Sequence, residues 1–271
     1  MRLATLLRLP KLLLCLLLLT PLSAYAAPKS DLWDFWSDHN AQSTQKVDHS
    51  QWQAILTQYV KTEGEQTYFR YGDISSQDRN VLTQYLNQLT SLDPRDLNRA
   101  EQFAYWVNLY NALTVNLIVE NYPLKSITKL GGLFSFGPWD QDITQVAGQT
   151  LTLNDIEHRI LRPIWQDYRI HYAVNCASIG CPNLSATAIT ADNTEAWLTT
   201  AESEFVASQK AMSIQKGKKV ISSIFVWYQE DWGGREQVKR YLSEKRPELA
   251  KQNGDWDDAY DWDLNVWPKA Q

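Results

Sequence analysis

The feature that most constrains this chain is a long apolar helix expected over Asn98–Tyr122. Phe103, Trp106, Val107, Tyr110, Leu113, Thr114 and Leu117 recur at i, i+3, i+4 and i+7. That spacing lays side chains on one helical face. Pro123 ends the pattern, because proline lacks an N–H and fixes φ. A helix this long and apolar calls for burial, so the rest of the chain has to wrap it. Asn108 and Asn111 ride beside the stripe. A buried amide needs partners, so Asn111 either fastens a neighbouring loop or lines a site.

The flanking sequence alternates between helix and hairpin signals. Ser50 opens a helix carrying Trp52, Ile55, Leu56, Tyr59 and Val60, and a second runs from about Ser76 to Leu89, where Asp93-Pro94 breaks the chain. Thr67–Tyr71 reads as extended. Ile143–Val146 and Gln149–Leu153 form a hairpin around Ala147-Gly148, and Lys216-Gly217-Lys218 turns another. Thr152-x-x-Asp155 is a capping box for a short helix with Ile156, Ile160 and Leu161, ended by Pro163. Ile170, Tyr172 and Val174 alternate, which predicts a strand over 169–175. Further helices are expected over 192–207, 223–231 and 235–243. Without βαβ periodicity the expected class is α+β: a helix-rich single domain over 50–271 with antiparallel β hairpins. Residues 27–49 read as a mobile leader with Leu32, Trp33, Phe35 and Trp36 as a sticky cluster. His39 and His49 in it are expected to be solvated.

The first 26 residues read as an export signal. Arg2, Arg8 and Lys11 precede the leucine run Leu12–Leu19, and Ala24-Tyr25-Ala26 fits a small-x-small cleavage site. The apolar run is too short for a normal span, so no integral membrane span is expected and the product should be periplasmic or secreted. The whole chain carries a net charge of −5, and loss of those three cations takes it to −8. Such an acidic chain is a poor sequence-independent partner for nucleic acid or anionic lipid. Only Cys176 and Cys181 remain after cleavage. They are close enough in sequence to form a disulfide, but loop geometry decides that. The alternatives are a free nucleophile at Cys176 or two inert thiols.

The candidate chemistry gathers around residues 155–182. Cys176 follows the expected strand and opens a loop of small residues, a place to present a thiol. His158 and His171 are the two histidines of the globular part. His171 is five residues before Cys176. On a straight strand that is roughly 16 Å with the two side chains on opposite faces, so His158 is the favoured base. Glu157 is expected either as an orienting or acid/base carboxylate or in an ion pair with Arg159, Arg162 or a histidine. Asn175, Ser178 and Asn111 are candidate substrate-binding or oxyanion groups. Zinc on Glu157, His158, His171 and Cys176 matches no structural zinc spacing, and no metal or cofactor is expected. A glycosidase pair of Glu157 with Asp140, Asp142 or Asp231 has nothing to select it. Twelve Trp and thirteen Tyr supply either a broad aromatic core or a stacking surface for sugar or peptide.

Several runs resemble one family in order. They are Phe103 to Leu113, Asp155-Ile156-Glu157-His158 with Leu161-Arg162, Arg169-Ile170-His171 through Asn175-Cys176-Ala177-Ser178 and Cys181-Pro182, Trp227-Tyr228 with Asp231-Trp232, and Asp261 to Asn265. Together they resemble the domain-of-unknown-function 547 family over about 100–265. Trp232 stands where the usual pattern has Phe. The resemblance implies little function. The residues themselves suggest a papain-like thiol site in rearranged order, His before Cys. The expected function is an exported thiol-dependent hydrolase or acyltransferase, a cysteine hydrolase in keyword form, acting on a peptide-like or small amide or ester substrate. The alternative is a non-catalytic binding module whose aromatic cleft holds a peptide or glycan.

Overall fold

The computed structural model describes residues 27–132 and 136–268. The expected signal over 1–26 therefore lies outside the described residues. α1 (Ser50–Tyr59) runs straight into β1 (Val60–Glu63), which pairs antiparallel with β2 (Gln66–Phe69). α2 (Ser76–Thr90) and α3 (Arg99–Asn121) follow. Both have side-chain caps. Ser75 Oγ accepts from Asp78 N at 3.0 Å, and Asn98 Oδ1 accepts from Glu101 N at 3.0 Å. Every residue from Glu101 to Val115 is buried, so α3 is covered on all sides rather than along one stripe.

β3 (Thr144–Val146) and β4 (Gln149–Leu151) form the expected hairpin. Ala147 and Gly148 both have positive φ, 44° and 77°, as a tight two-residue hairpin turn requires. A π-helix, Asp155–Leu161, then passes into α4 (Arg162–Trp165) and packs against α3. Next come α5 (Ile170–Ala173), α6 (Thr194–Ala207), β5 (Met212–Gln215), β6 (Lys218–Ser222), α7 (Ile224–Trp227), a 3-10 turn over Gln229–Trp232, α8 (Arg235–Lys245), α9 (Pro247–Ala250) and β7 (Trp256–Ala259). β6 pairs antiparallel with β5 and parallel with β7. The result is one α+β domain with small antiparallel hairpins and no closed barrel. A large apolar cluster surrounds α3, and a smaller one gathers Tyr172, Phe205, Phe225, Trp232 and Leu242. No described helix is long and apolar enough to cross a membrane.

Three local expectations are corrected. Residues 170–173 form a helical turn, not a strand. Asp167 starts it: its carbonyl accepts from Ile170 N at 3.1 Å and its carboxylate from Arg169 N at 2.9 Å. All four residues are buried, so the Ile-Tyr-Val alternation carried no information about faces. Pro163 does not end its helix. It sits in the first turn of α4, where a missing N–H is tolerated. His49 is not solvated. It is 5% exposed, and its Nδ1 lies 2.7 Å from Tyr85 Oη.

Within residues 27–49, Asp31 N donates to His158 O and Trp33 N to Arg159 O, and Trp36 is buried against Trp106. The C-terminal tail crosses the same side of the molecule. Asn265 N donates to Ala177 O, Ile179 N to Asp263 O, and Gly180 N to Asp261 O. A Cβ on Gly180 would stand 2.8 Å from Asp261 N, so only glycine lets the two backbones meet.

Candidate functional site

The loop after α5 sets one wall of the site. Asn111, on α3, holds it by both ends of its amide. Its Nδ2 donates to Ala173 O at 2.9 Å, and its Oδ1 accepts from Asn175 N at 2.8 Å. Asn175 closes the loop in the same way, donating to Pro182 O and accepting from Ala177 N. Ala177 has φ of 60°, and that bond to Asn175 helps to hold it there. Lys210 donates to Cys181 O at 2.6 Å, and burial pushes its amine down to about 7.

Cys176 and Cys181 are joined as a disulfide, with their Cα atoms 6.2 Å apart. This corrects the expected thiol hydrolase. A disulfide sulfur is neither a thiolate nor a thiol awaiting a base, so Cys176 has no proton for His158 to take. The papain-like site and the cysteine hydrolase fall with it. Ser178 belongs to the same wall. Its Oγ donates to Tyr260 Oη at 3.0 Å, and Tyr260 Oη donates to Cys181 Sγ at 3.1 Å.

The second wall is the π-helix. Arg162 N bonds back to Glu157 O, five residues earlier, the wide turn that defines this helix. Glu157, His158 and Arg162 are all buried. Arg162 Nε and Nη2 grip Asp231 at 2.6 and 3.0 Å, and its Nη1 donates to Pro28 O and to His158 Nδ1 at 3.0 Å. Arginine only donates, so His158 Nδ1 must accept. The proton of neutral His158 therefore sits on Nε2, which stands 3.9 Å from Glu157 Oε2. Burial pushes His158 down to about 4, with Glu157 opposing. Burial also opposes charge on Glu157. His158, His171 and Arg162 outweigh it and hold the carboxyl down at about 2.

The helical turn at 170–173 brings His171 into this cluster. Its Nε2 donates to Asp231 Oδ2 at 2.6 Å, and its Nδ1 lies 3.5 Å from Glu157 Oε1. The ring is sandwiched between Tyr228, 4.4 Å away and nearly parallel, and Trp232 at 5.3 Å. Burial opposes the charge on Asp231, but His171 and Arg162 hold it far below the usual carboxylate range. Arg162 fills the space between His158 and Asp231. Among the described residues no three His, Cys, Asp or Glu side chains are set to hold a metal ion.

Aromatic rings complete the enclosure. α7 supplies Trp227, and the tail supplies Tyr260 and Trp262. Trp262 lies 4.5 Å from Tyr260, 5.7 Å from Trp227 and 5.6 Å from Trp139. These rings, with Phe136 and Tyr110, line a cavity of about 260 Å³. Glu157, His158, His171 and both cysteines also line it, as do Ala27 and Pro28. The structure thus brings Glu157, His158, His171 and Cys176 to one cavity. It spends the polar groups of Asn111 and Asn175 on the loop.

Sequence reasoning did not place Arg162, Tyr228, Trp232, Tyr260 or Trp262 in the site, and found no reason to choose Asp231. Arg162 and Asp231 meet across 69 residues, a separation no local spacing reveals. The one signal was that Arg162, Tyr228, Asp231, Trp232 and Trp262 all fall in the motifs that carried the family resemblance.

Residues 94–206 match a family model described as "Protein of unknown function, DUF547". The match covers α3, the π-helix, α5, the disulfide loop and α6. The motifs read at 227–232 and 261–265 lie beyond it. No curated protein and no solved structure matches the chain.

Proposed function

We propose that the protein is a non-catalytic binding module whose aromatic cleft holds a peptide. The observation that carries this reading is the cavity itself: Trp139, Trp227, Tyr260 and Trp262 wall it, and its cysteines are tied in a disulfide. Aromatic rings give large contact area at little cost in side-chain freedom. Trp227 and Trp262 lie within 25° of parallel, and Tyr260 is inclined to them at 47° and 51°. Rings inclined to one another enclose a volume, which suits a side chain or chain end better than the flat face of a sugar. Glu157, His158 and His171 supply the polar floor. Asn111, Asn175 and Ser178 hold the loop that shapes it. The export reading belongs here too. Residues 1–26 act as a signal cleaved after Ala26, and the product is periplasmic or secreted. The Cys176–Cys181 disulfide supports this, because disulfides persist in oxidising compartments.

The test is a titration of residues 27–271 with unblocked pentapeptides and, separately, with soluble oligosaccharides, read by tryptophan fluorescence. Peptides should give a saturable change that Trp262→Ala abolishes. A response to oligosaccharides alone, or to neither class, would overturn the reading. So would mass-spectrometric detection of peptide cleavage.

A further inference from the structure

We infer that the cleft seats the free α-ammonium group of its peptide on Glu157. The inference rests on the peptide-binding reading and deepens it. Among the described residues Glu157 is the one carboxylate lining the cavity. It is 7% exposed, and its imidazole neighbours stand at 3.5 and 3.9 Å, longer than a strong hydrogen bond. The Tyr110 hydroxyl also bonds to it, but a carboxylate has about four acceptor positions, so capacity remains toward the cavity.

Ala27 lines the cavity, so after cleavage at Ala26 the chain's own α-ammonium is one cation a bound peptide must displace; the neighbouring side-chain cation does not compete. Arg162 is committed to Asp231, Pro28 O and His158. It grips Asp231 directly and acts on Glu157 only by its charge, so none of its N–H groups occupies the Glu157 oxygens. The surrounding rings act in the same sense. Trp227 and Tyr260 line the cavity, and the face of an aromatic ring attracts a cation; the Tyr228 ring is already taken by His171 and Arg162.

The floor also has a donor placed for the next atom of the chain. His158 carries its proton on Nε2, and that nitrogen is 3.9 Å from Glu157 Oε2. The α-ammonium can donate to Glu157 while the first carbonyl oxygen accepts from His158. An acceptor and a donor at this spacing read the two polar groups of an N-terminal residue. Its side chain then falls among the rings.

The experiment uses the unaltered mature protein and four versions of one pentapeptide: free at both ends, N-acetylated, C-amidated, and N-acetylated with a lysine added. The readout is the dissociation constant from tryptophan fluorescence. N-acetylation should weaken binding at least tenfold, and C-amidation should change it less than twofold. Glu157→Gln should weaken the free peptide to the level of the acetylated one, and should leave the acetylated one unchanged. Equal binding of free and acetylated peptides would overturn the ammonium seat while leaving peptide binding intact. Recovery by the added lysine would also overturn it, by moving the cation to a side chain. Failure of every version to bind would instead overturn the peptide-binding reading beneath it.

Discussion

α3 and the π-helix pack against each other, yet they are buried on opposite terms. α3 buries Phe103, Tyr105, Trp106, Leu109, Tyr110 and Leu113, and its amides find carbonyls, as when Asn108 donates to Ile189 O at 2.7 Å. Its burial returns about 25 cal/mol for each Å² of apolar surface. The π-helix and the first residue of α4 bury Glu157, His158 and Arg162 and need His171 and Asp231 to satisfy them. Desolvating such groups can cost as much as their mutual attraction returns. The comparison teaches where stability and recognition reside. α3 is a source of folding energy. The charged cluster fixes polar groups in a cavity at some expense to it.

The largest expected effect falls on the α3 side. Trp106 is 1% exposed and meets Trp36 and Tyr105 edge-on, each at 5.0 Å. Trp106→Ala should cost about 3–5 kcal/mol as a large-to-small core change. Urea denaturation measures it. A midpoint equal to wild type would break the claim that α3 carries the stability.

The next effect is acid-driven and has one source in each region. Burial pushes His158, in the cavity, down to about 4, and does the same to His49, packed on Tyr85. A histidine depressed on folding binds its proton more readily in the unfolded chain. Its contribution is therefore complete above about pH 6.5 and is lost as pH falls through 4. Each should remove roughly 3 kcal/mol across that window. Glu157, held down at about 2, has the same sign, with its loss beginning as pH falls through the usual carboxylate range and completing below 2. Urea midpoints at pH 7, 5.5 and 4 test this in wild type, His49→Gln and His158→Gln. Each variant should flatten the decline. A decline that neither substitution alters would place the acid sensitivity elsewhere.

The same two regions differ in how far the sequence revealed them. α3 was legible because its apolar stripe and the Pro123 that stops it are both local signals. The Ala147-Gly148 hairpin was legible for the same reason, since turn chemistry is local. The cavity was legible only in part. Glu157, His158, His171 and Cys176 stood out as reactive types, but their geometry depends on a turn of helix where alternation had suggested a strand. That error set His171 apart from the other groups. The segment over 155–161 showed its apolar side in Ile156, Ile160 and Leu161 but not its wide turn, and the salt bridge from Arg162 to Asp231 joins distant parts of the chain. The state of the two cysteines was undecided in sequence, because the loop between them decides it.

The smallest expected effect tests how the cavity wall is held. A disulfide stabilises chiefly by restricting the unfolded chain, and the restriction grows with the loop it closes. Cys176 and Cys181 are five residues apart. So short a loop implies about 2 kcal/mol for the cross-link. The folded loop has other supports: Asn111 and Asn175 bind its backbone, Lys210 holds Cys181 O, and the tail crosses it at Ala177, Ile179 and Gly180. Replacing both cysteines with serine should therefore lower the urea-derived stability by about 2 kcal/mol, less than the single change at Trp106. The variant should stay folded, with Tyr260 and Trp262 still over the cavity and the near-ultraviolet spectrum largely kept. Loss of that spectrum without denaturant would show that the hydrogen bonds alone do not hold the wall. It would then place the cross-link, rather than the Asn111 and Asn175 amides, as the element on which the cavity's shape depends.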